Sequence, residues 1–145
     1  MRWLVIILLI LVALFLAARY VPVAPEEQRP GTRLSGSWVS EPVADFSTFW
    51  SSGQRAYVQT APWWGIPHSV TTTSFVVEGK LYVPCRSCAQ KRWPRNVAAD
   101  PHVVIKLGDD LYPLKAVRVE DPAELKRIFQ GNAREGLWAF RMDPR

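Results

Sequence analysis

The chain has 145 residues, 48% hydrophobic and 21% charged, with seven tryptophans and a formal net charge of +5. That length allows one domain with a modest core, and the composition is that of a folded protein rather than a disordered one. The positive balance is compatible with nucleic acid, an anionic membrane surface or a phosphorylated ligand, but paired Cys/His zinc spacing and an Arg-rich recognition helix are both lacking, which argues against nucleic acid.

Residues 3–18 carry no charge and no polar face, with Arg2 before them and Arg19 after. A run apolar all round is a membrane segment rather than a core helix. It falls slightly short of the ~20 residues that cross a bilayer, but Arg19 can snorkel and residues 20–23 extend the apolar length. We read 1–20 as an uncleaved transmembrane anchor. A cleaved signal peptide is the rival reading, although no clean small-x-small cleavage site follows. The charges at Arg19, Arg29 and Arg33 favour a cytoplasmic globular part, whereas the signal-like start favours the opposite face.

Residues 21–39 contain Pro22, Pro25, Pro30, Gly31 and Gly36 and read as an extended, weakly structured linker. Removing residues 1–33 is therefore expected to leave a folded domain over 40–145. Ser40-Glu41-Pro42 offers a helix start. Val43, Phe46, Phe49 and Trp50 would share one face of that helix, and Gly53 would stop it.

Strand candidates follow at 56–60, 69–78, 80–86, 102–107, 111–120 and 138–141. Glu78-Gly79-Lys80 and Gly108-Asp109-Asp110 supply turns. Asp121-Pro122-Ala123-Glu124 is a capping box opening a helix that runs to near Gly131. The sum is a mainly β fold with short helices, a six-stranded antiparallel barrel preceded by the transmembrane helix.

Arg86, Lys91, Arg92 and Arg95 crowd one loop, with no acid from Arg86 to Arg95, and a short helix opened by Pro94 follows. Pro suits the first helical turn, and the residue before Pro101 is pushed out of the helical region, so the helix ends there. Cations beside free N–H groups suit a phosphate. Arg86, Ser87, Lys91 and Arg92 are the candidates to hold it. A solvated loop or a contact with anionic lipid is the plainer alternative.

Cys85-Arg86-Ser87-Cys88 is the one cysteine pair. Without a second pair it makes no zinc site, and no metal is expected. Two ordinary thiols, or a local disulfide in an oxidising compartment, both remain open. Trp63 and Trp64 read either as a lid over a ring or as an interfacial membrane contact.

Trp93-Pro94-Arg95-Asn96-Val97-Ala98-Ala99-Asp100-Pro101 resembles the aromatic, Asn-Leu and Asn/Asp-Pro segment of the deazaflavin (F420)-dependent nitroreductase and quinone reductase family. That family belongs to the split β-barrel flavin-binding proteins that include pyridoxamine phosphate oxidase. Val117-Arg118-Val119-Glu120-Asp121-Pro122-Ala123-Glu124 is similar to the family's last long strand running into a helix, and Trp138-Ala139-Phe140-Arg141-Met142-Asp143-Pro144-Arg145 to its closing strand. The resemblance covers roughly residues 56–145 in consistent order.

The resemblance implies a homodimer binding FMN or deazaflavin F420. It places the cofactor phosphate near the basic loop, Ser69 and Thr71 on the strand beside the ring, and Cys85 close by. Trp93 and Asn96 belong to the matching segment, though a core aromatic and a local backbone bond explain them as well. His68 stands where the family carries an Arg. The family's Gly-Arg-x-Ser-Gly-x-x-Arg-like turn is replaced by Ala61-Pro62-Trp63-Trp64-Gly65-Ile66-Pro67-His68, and the loop between Val83 and Trp93 is shorter than usual.

The expectation is thus a membrane-anchored flavin- or deazaflavin-dependent oxidoreductase acting on a small lipophilic acceptor such as a quinone or nitro compound. Cofactor-dependent chemistry needs no Ser/His/Asp triad. A membrane-tethered barrel that has lost its cofactor site is the alternative, and a haem-binding barrel using His68 or His102 is a third.

Overall fold

The computed structural model describes residues 2–132 and 136–145. Helix α1 spans Arg2–Tyr20 and buries none of its side chains. At 1.5 Å per residue it is about 28 Å long, and by length and composition it is able to cross a membrane.

The rest is a mainly antiparallel sheet of eight strands: β1 (Ser37–Trp38), β2 (Arg55–Thr60), β3 (His68–Thr73), β4 (Phe75–Val77), β5 (Lys80–Arg86), β6 (His102–Leu107), β7 (Asp110–Arg118) and β8 (Leu137–Pro144). Two short helices, α2 (Arg92–Ala99) and α3 (Pro122–Ile128), lie against it. The order across the sheet is β3-β2-β6-β7-β8-β5-β4, with β1 pairing in parallel with β7 off that path. Two strands exceed the expected six: β1 arises within the presumed linker, and the run expected as one strand over 69–78 divides at Ser74.

That division shapes the molecule. Up to Thr73 the run pairs with β2, and from Phe75 it pairs with β5, so one bent run joins the two ends of the sheet. Ser74 makes the corner: its N–H donates to Gln54 O at 3.1 Å, its carbonyl accepts from Gly53 N at 2.8 Å, and its hydroxyl accepts from Trp50 Nε1 at 2.7 Å.

Beyond the corner β3 and β5 do not pair, and the barrel stays open along that seam. Pro84 helps to hold it open. Ala139, opposite Pro84, directs its carbonyl to Val119 N, so the ring nitrogen of Pro84 faces the seam, where it has no proton to donate.

The main core lies inside the curl. Ala56, Val58, Leu81, Val83 and Ile105 are fully buried there, closed at one end by Trp93 and Val97 of α2. The spacing of Trp93 and Val97, four residues apart, puts both on the inward face of the helix. Outside the barrel, α3 covers Tyr82 and Ala139 through Ile128. Asp121 caps it as the capping box implies, accepting from Ala123 N and Glu124 N at 3.2 Å each. The Glu124 carboxylate then takes Tyr82 Oη at 2.9 Å and both oxygens meet Arg141 Nη1 at 3.0 and 3.1 Å. That network pushes the Tyr82 phenol up to about 12, through burial first and the Glu124 carboxylate second.

Two expectations change. The helix expected over 40–53 is only a single 3-10 turn, Phe46–Thr48. Asp45 accepts from Ser47 N and Ser47 Oγ at 2.8 and 2.6 Å, a local bonding pattern that competes with helix. Phe46 is still buried in the core, as its apolar spacing implied.

The segment 21–39 is also not a free linker. Gly31 and Ser69 exchange backbone hydrogen bonds at 2.9 and 3.0 Å along the edge of β3, Thr32 N donates to Val23 O, and Leu34 N donates to Gln59 Oε1 at 2.6 Å. Gly31 is required by this approach, because a Cβ there would collide with Val23 O and lie 2.7 Å from Ser69 Oγ.

Candidate ligand-binding cleft

The open seam forms a cleft of about 510 Å³. Three elements and one loop converge on it. Strand β3 contributes His68, Val70, Thr71 and Thr72; β5 contributes Pro84; the start of α2 contributes Lys91, Arg92 and Trp93; and Glu27, Gln28 and Pro30 arrive from the 21–39 segment. The volume lies within the range of small-molecule and cofactor sites.

The register explains which β3 residues face inward. Val70 pairs with Val58 and Thr72 with Ala56, so His68, Val70 and Thr72 share the core face of β2. Ser69 faces the other way, against Gly31; it is fully buried, and its hydroxyl has no partner among the described residues. Thr71 reaches the rim while its hydroxyl donates to Pro25 O at 3.4 Å.

At the other wall, Lys91 is the N-cap of α2 and makes no side-chain capping bond, so the first N–H groups of the helix lack a side-chain acceptor. The helix starts two residues before Pro94, which still lies within the first turn, where its missing N–H costs nothing. Lys91 and Arg92 are both exposed, beside the buried indole of Trp93, which packs on Phe140 at 4.8 Å between ring centroids. The guanidinium of Arg92 sits over the Trp64 ring at 4.6 Å. His68 is 7% exposed. Burial, with the Arg92 charge as a second cause, holds its imidazole below the ordinary 6.5, so it is neutral at pH 7.

The cleft therefore pairs cations and free helix N–H groups on one wall with apolar and hydroxyl side chains on the other. That donor set suits an anion attached to a flat, largely apolar group. Glu27 is the one carboxylate on its lining.

Solved structures with the same architecture are known. One, from Listeria innocua and provisionally named a pyridoxamine 5'-phosphate oxidase, superposes with a TM-score of 0.54 at 19% identity, over 63% of this chain and 84% of its own. A conserved hypothetical protein from Mycobacterium tuberculosis superposes with a TM-score of 0.53 at 18% identity, over 75% of this chain and 86% of its own. The fold is the pyridoxamine 5'-phosphate oxidase-like split barrel. No protein-family model matches the sequence, and no curated protein matches it.

Within this split barrel, five of the ten candidate residues meet at the cleft: His68, Thr71, Lys91, Arg92 and Trp93. Ser69 lies behind its wall. Arg86 and Ser87 are exposed at the end of β5, where Ser87 N donates to Gly136 O at 3.3 Å, and they are not among the lining residues. Cys85 and Cys88 form a disulfide within the core, with their Cα atoms 5.7 Å apart, which tethers the end of β5 to the turn that leads into Lys91.

Asn96 is a strut. Its Nδ2 donates to Thr60 Oγ1 at 2.8 Å, and Thr60 Oγ1 donates to His68 O at 3.2 Å, tying α2 through β2 to the cleft strand. Sequence reasoning chose Ser69 and Thr71 over the opposite face of the strand, where alternation puts Val70 and Thr72, and it passed over Pro84. The lone Val among threonines was the available signal for the inward face. The contributions of Glu27, Gln28 and Pro30 left no local signal, because only the backbone pairing at Gly31 brings them in. His102 lies away from the cleft, paired with Asp100 at 2.8 Å. Among the described residues no cluster of His, Cys, Asp or Glu could hold a metal ion.

Proposed function

We propose that the protein is a membrane-anchored oxidoreductase that holds FMN or a deazaflavin in the seam cleft and serves a small lipophilic acceptor, a quinone or nitro compound. The observation that carries this reading is the convergence of Lys91, Arg92 and Trp93 with His68 and the β3 face on one opening of the barrel. The bound group would supply the hydride or electron exchange. Lys91, Arg92 and the first N–H groups of α2 would hold its phosphate. Val70, Thr72 and Pro84 would offer the surface for its ring, and the Pro25–Gly31 turn would limit access of water. Helix α1 serves as the membrane anchor, and the barrel pairs with a second copy, as the resemblance implies.

A non-catalytic, membrane-tethered barrel is the second reading. It is favoured by the Glu27 carboxylate within the cleft and by Trp63, Trp64 and His68 standing where the resembling family carries a basic turn.

Titrating the detergent-solubilised full chain with FMN and with F420, read by cofactor fluorescence, separates the two readings. Lys91→Ala with Arg92→Ala should weaken binding at least a hundredfold, since two charge-assisted bonds of roughly 1.5–3 kcal/mol each are lost, while circular dichroism stays unchanged. Equal affinity in the double variant would overturn the phosphate assignment. Binding of neither cofactor by the wild type would favour the non-catalytic barrel.

A further inference from the structure

The segment between β2 and β3 presents two adjacent tryptophans in an exposed position. Gly65 N donates to Pro62 O at 2.9 Å, so Trp63 and Trp64 occupy the two central positions of one tight turn. Trp63 is 93% exposed, and Trp64 meets it edge-on at 5.8 Å. An indole that is left almost wholly in solvent at a turn tip serves no packing role within the barrel.

The turn is not free to wander. Arg19, in the last turn of α1, donates Nη1 to Gly65 O at 2.8 Å. Gly65 has φ +87°, a conformation that favours glycine, and a Cβ there would displace the Arg19 guanidinium from its bond to the turn. The end of the apolar helix and the tryptophan turn are thus one unit. Trp3 stands at one end of α1 and Tyr20 at the other, both exposed. Trp and Tyr collect where hydrocarbon meets headgroups, and Arg19 links the two sets: its guanidinium lies over the Tyr20 ring at 5.6 Å and donates to the carbonyl of Gly65, the residue after Trp64. On its other side, Trp64 lies under Arg92, a lining residue of the cleft.

We propose that the Trp63–Trp64 turn is a second membrane contact, seated in the headgroup layer of the bilayer that α1 crosses, and that it holds the Arg92 rim of the cleft at that layer. The proposal rests on reading α1 as a membrane anchor. The lipid it fits is anionic: Arg19 donates to the turn at Gly65 O, Arg92 lies over the Trp64 ring, and Lys91 stands next to Arg92 on the cleft lining, where Glu27 is the carboxylate.

The test uses the full chain in mixed phosphatidylcholine–phosphatidylglycerol vesicles, spin-labelled in turn at Ile10→Cys, Trp63→Cys and Asp109→Cys, the last on an exposed turn between β6 and β7. Collision with oxygen, which concentrates in lipid, is compared with collision by a water-soluble nickel chelate. The oxygen-to-nickel ratio at position 63 should be several-fold above that at 109 and below that at 10. A ratio at 63 equal to that at 109, with position 10 lipid-protected, overturns this inference and leaves the anchor standing. Position 10 open to nickel overturns the anchor and this inference with it. As an unlabelled control, quenching of tryptophan fluorescence by brominated lipid should fall in Trp63→Phe/Trp64→Phe. No fall would count against the contact independently of any label.

Discussion

At the residue scale, His68 is the most informative side chain. It stands on the inward face of β3 because Thr60 lies opposite it, and its carbonyl is held by the Thr60 hydroxyl that Asn96 also engages. Burial and the nearby Arg92 charge both disfavour the imidazolium. Below the ordinary value of 6.5, the unfolded chain therefore takes up a proton that the folded chain refuses until the pH is lower still. The stability tied to His68 is complete above 6.5 and is lost as the pH falls from there toward its depressed folded value. Unfolding of the solubilised chain over a pH series should show that decline, and His68→Gln should flatten it. An unchanged slope would mean that His68 is open to water.

At the element scale, the 21–39 segment carries the largest revision. Its proline and glycine content reads as a spacer, yet Gly31 pairs with Ser69 and covers the free edge of β3. A bare edge strand is a site for pairing with another chain. Deleting residues 1–20 should leave a folded domain. Deleting 1–33 should remove the two Gly31–Ser69 hydrogen bonds, at a cost on the order of 2 kcal/mol, and should promote association along β3. Melting temperature and light scattering of the two truncations check this. Equal stability and equal solubility would restore the spacer reading.

The helix expected over 40–53 failed for a different reason. Val43, Phe46 and Trp50 do pack on the core while Phe49 stays exposed, but Asp45, Ser47 and Thr48 bond to their own neighbourhood, and side-chain competition of that kind shortens a helix to a turn. By contrast, the strands at 80–86 and 102–107 have the bounds expected from the hairpin turn before the first and the apolar run of the second.

At the scale of the whole molecule, an open barrel with a cleft at its seam is one half of a site when a second chain closes it. A second hollow, of about 340 Å³, lies between α2 and strands β7 and β8 and is lined mainly by Val97, Ala98, Ala116, Trp138 and Phe140, with Arg118 stacked on Trp138 at 3.7 Å. Pairing of two copies would bury such a surface. Sedimentation of the detergent-solubilised chain at micromolar concentration should show a dimer, and Ala98→Arg, aimed at this hollow, should shift it to monomer. A wild-type monomer at that concentration would remove the proposed pairing.

Local sequence determined most of the strands, where α3 begins and where α2 ends, and that one helix is apolar enough for a membrane, because periodicity, proline and capping act within a few residues. It also carried the basic loop and the resemblance that named the fold. Only the tertiary structure decided that the run 68–77 bends at Ser74 and so leaves a seam. It likewise separated Lys91 and Arg92, which line the cleft, from Arg86 and Ser87, which do not, and drew Glu27 and Gln28 in from a segment forty residues before β3. Those outcomes depend on which strand pairs with which, and on backbone hydrogen bonds between residues distant in the chain, as between Gly31 and Ser69 or Ser74 and Gln54. No local pattern encodes such pairings, since every non-proline residue carries the same donor and acceptor.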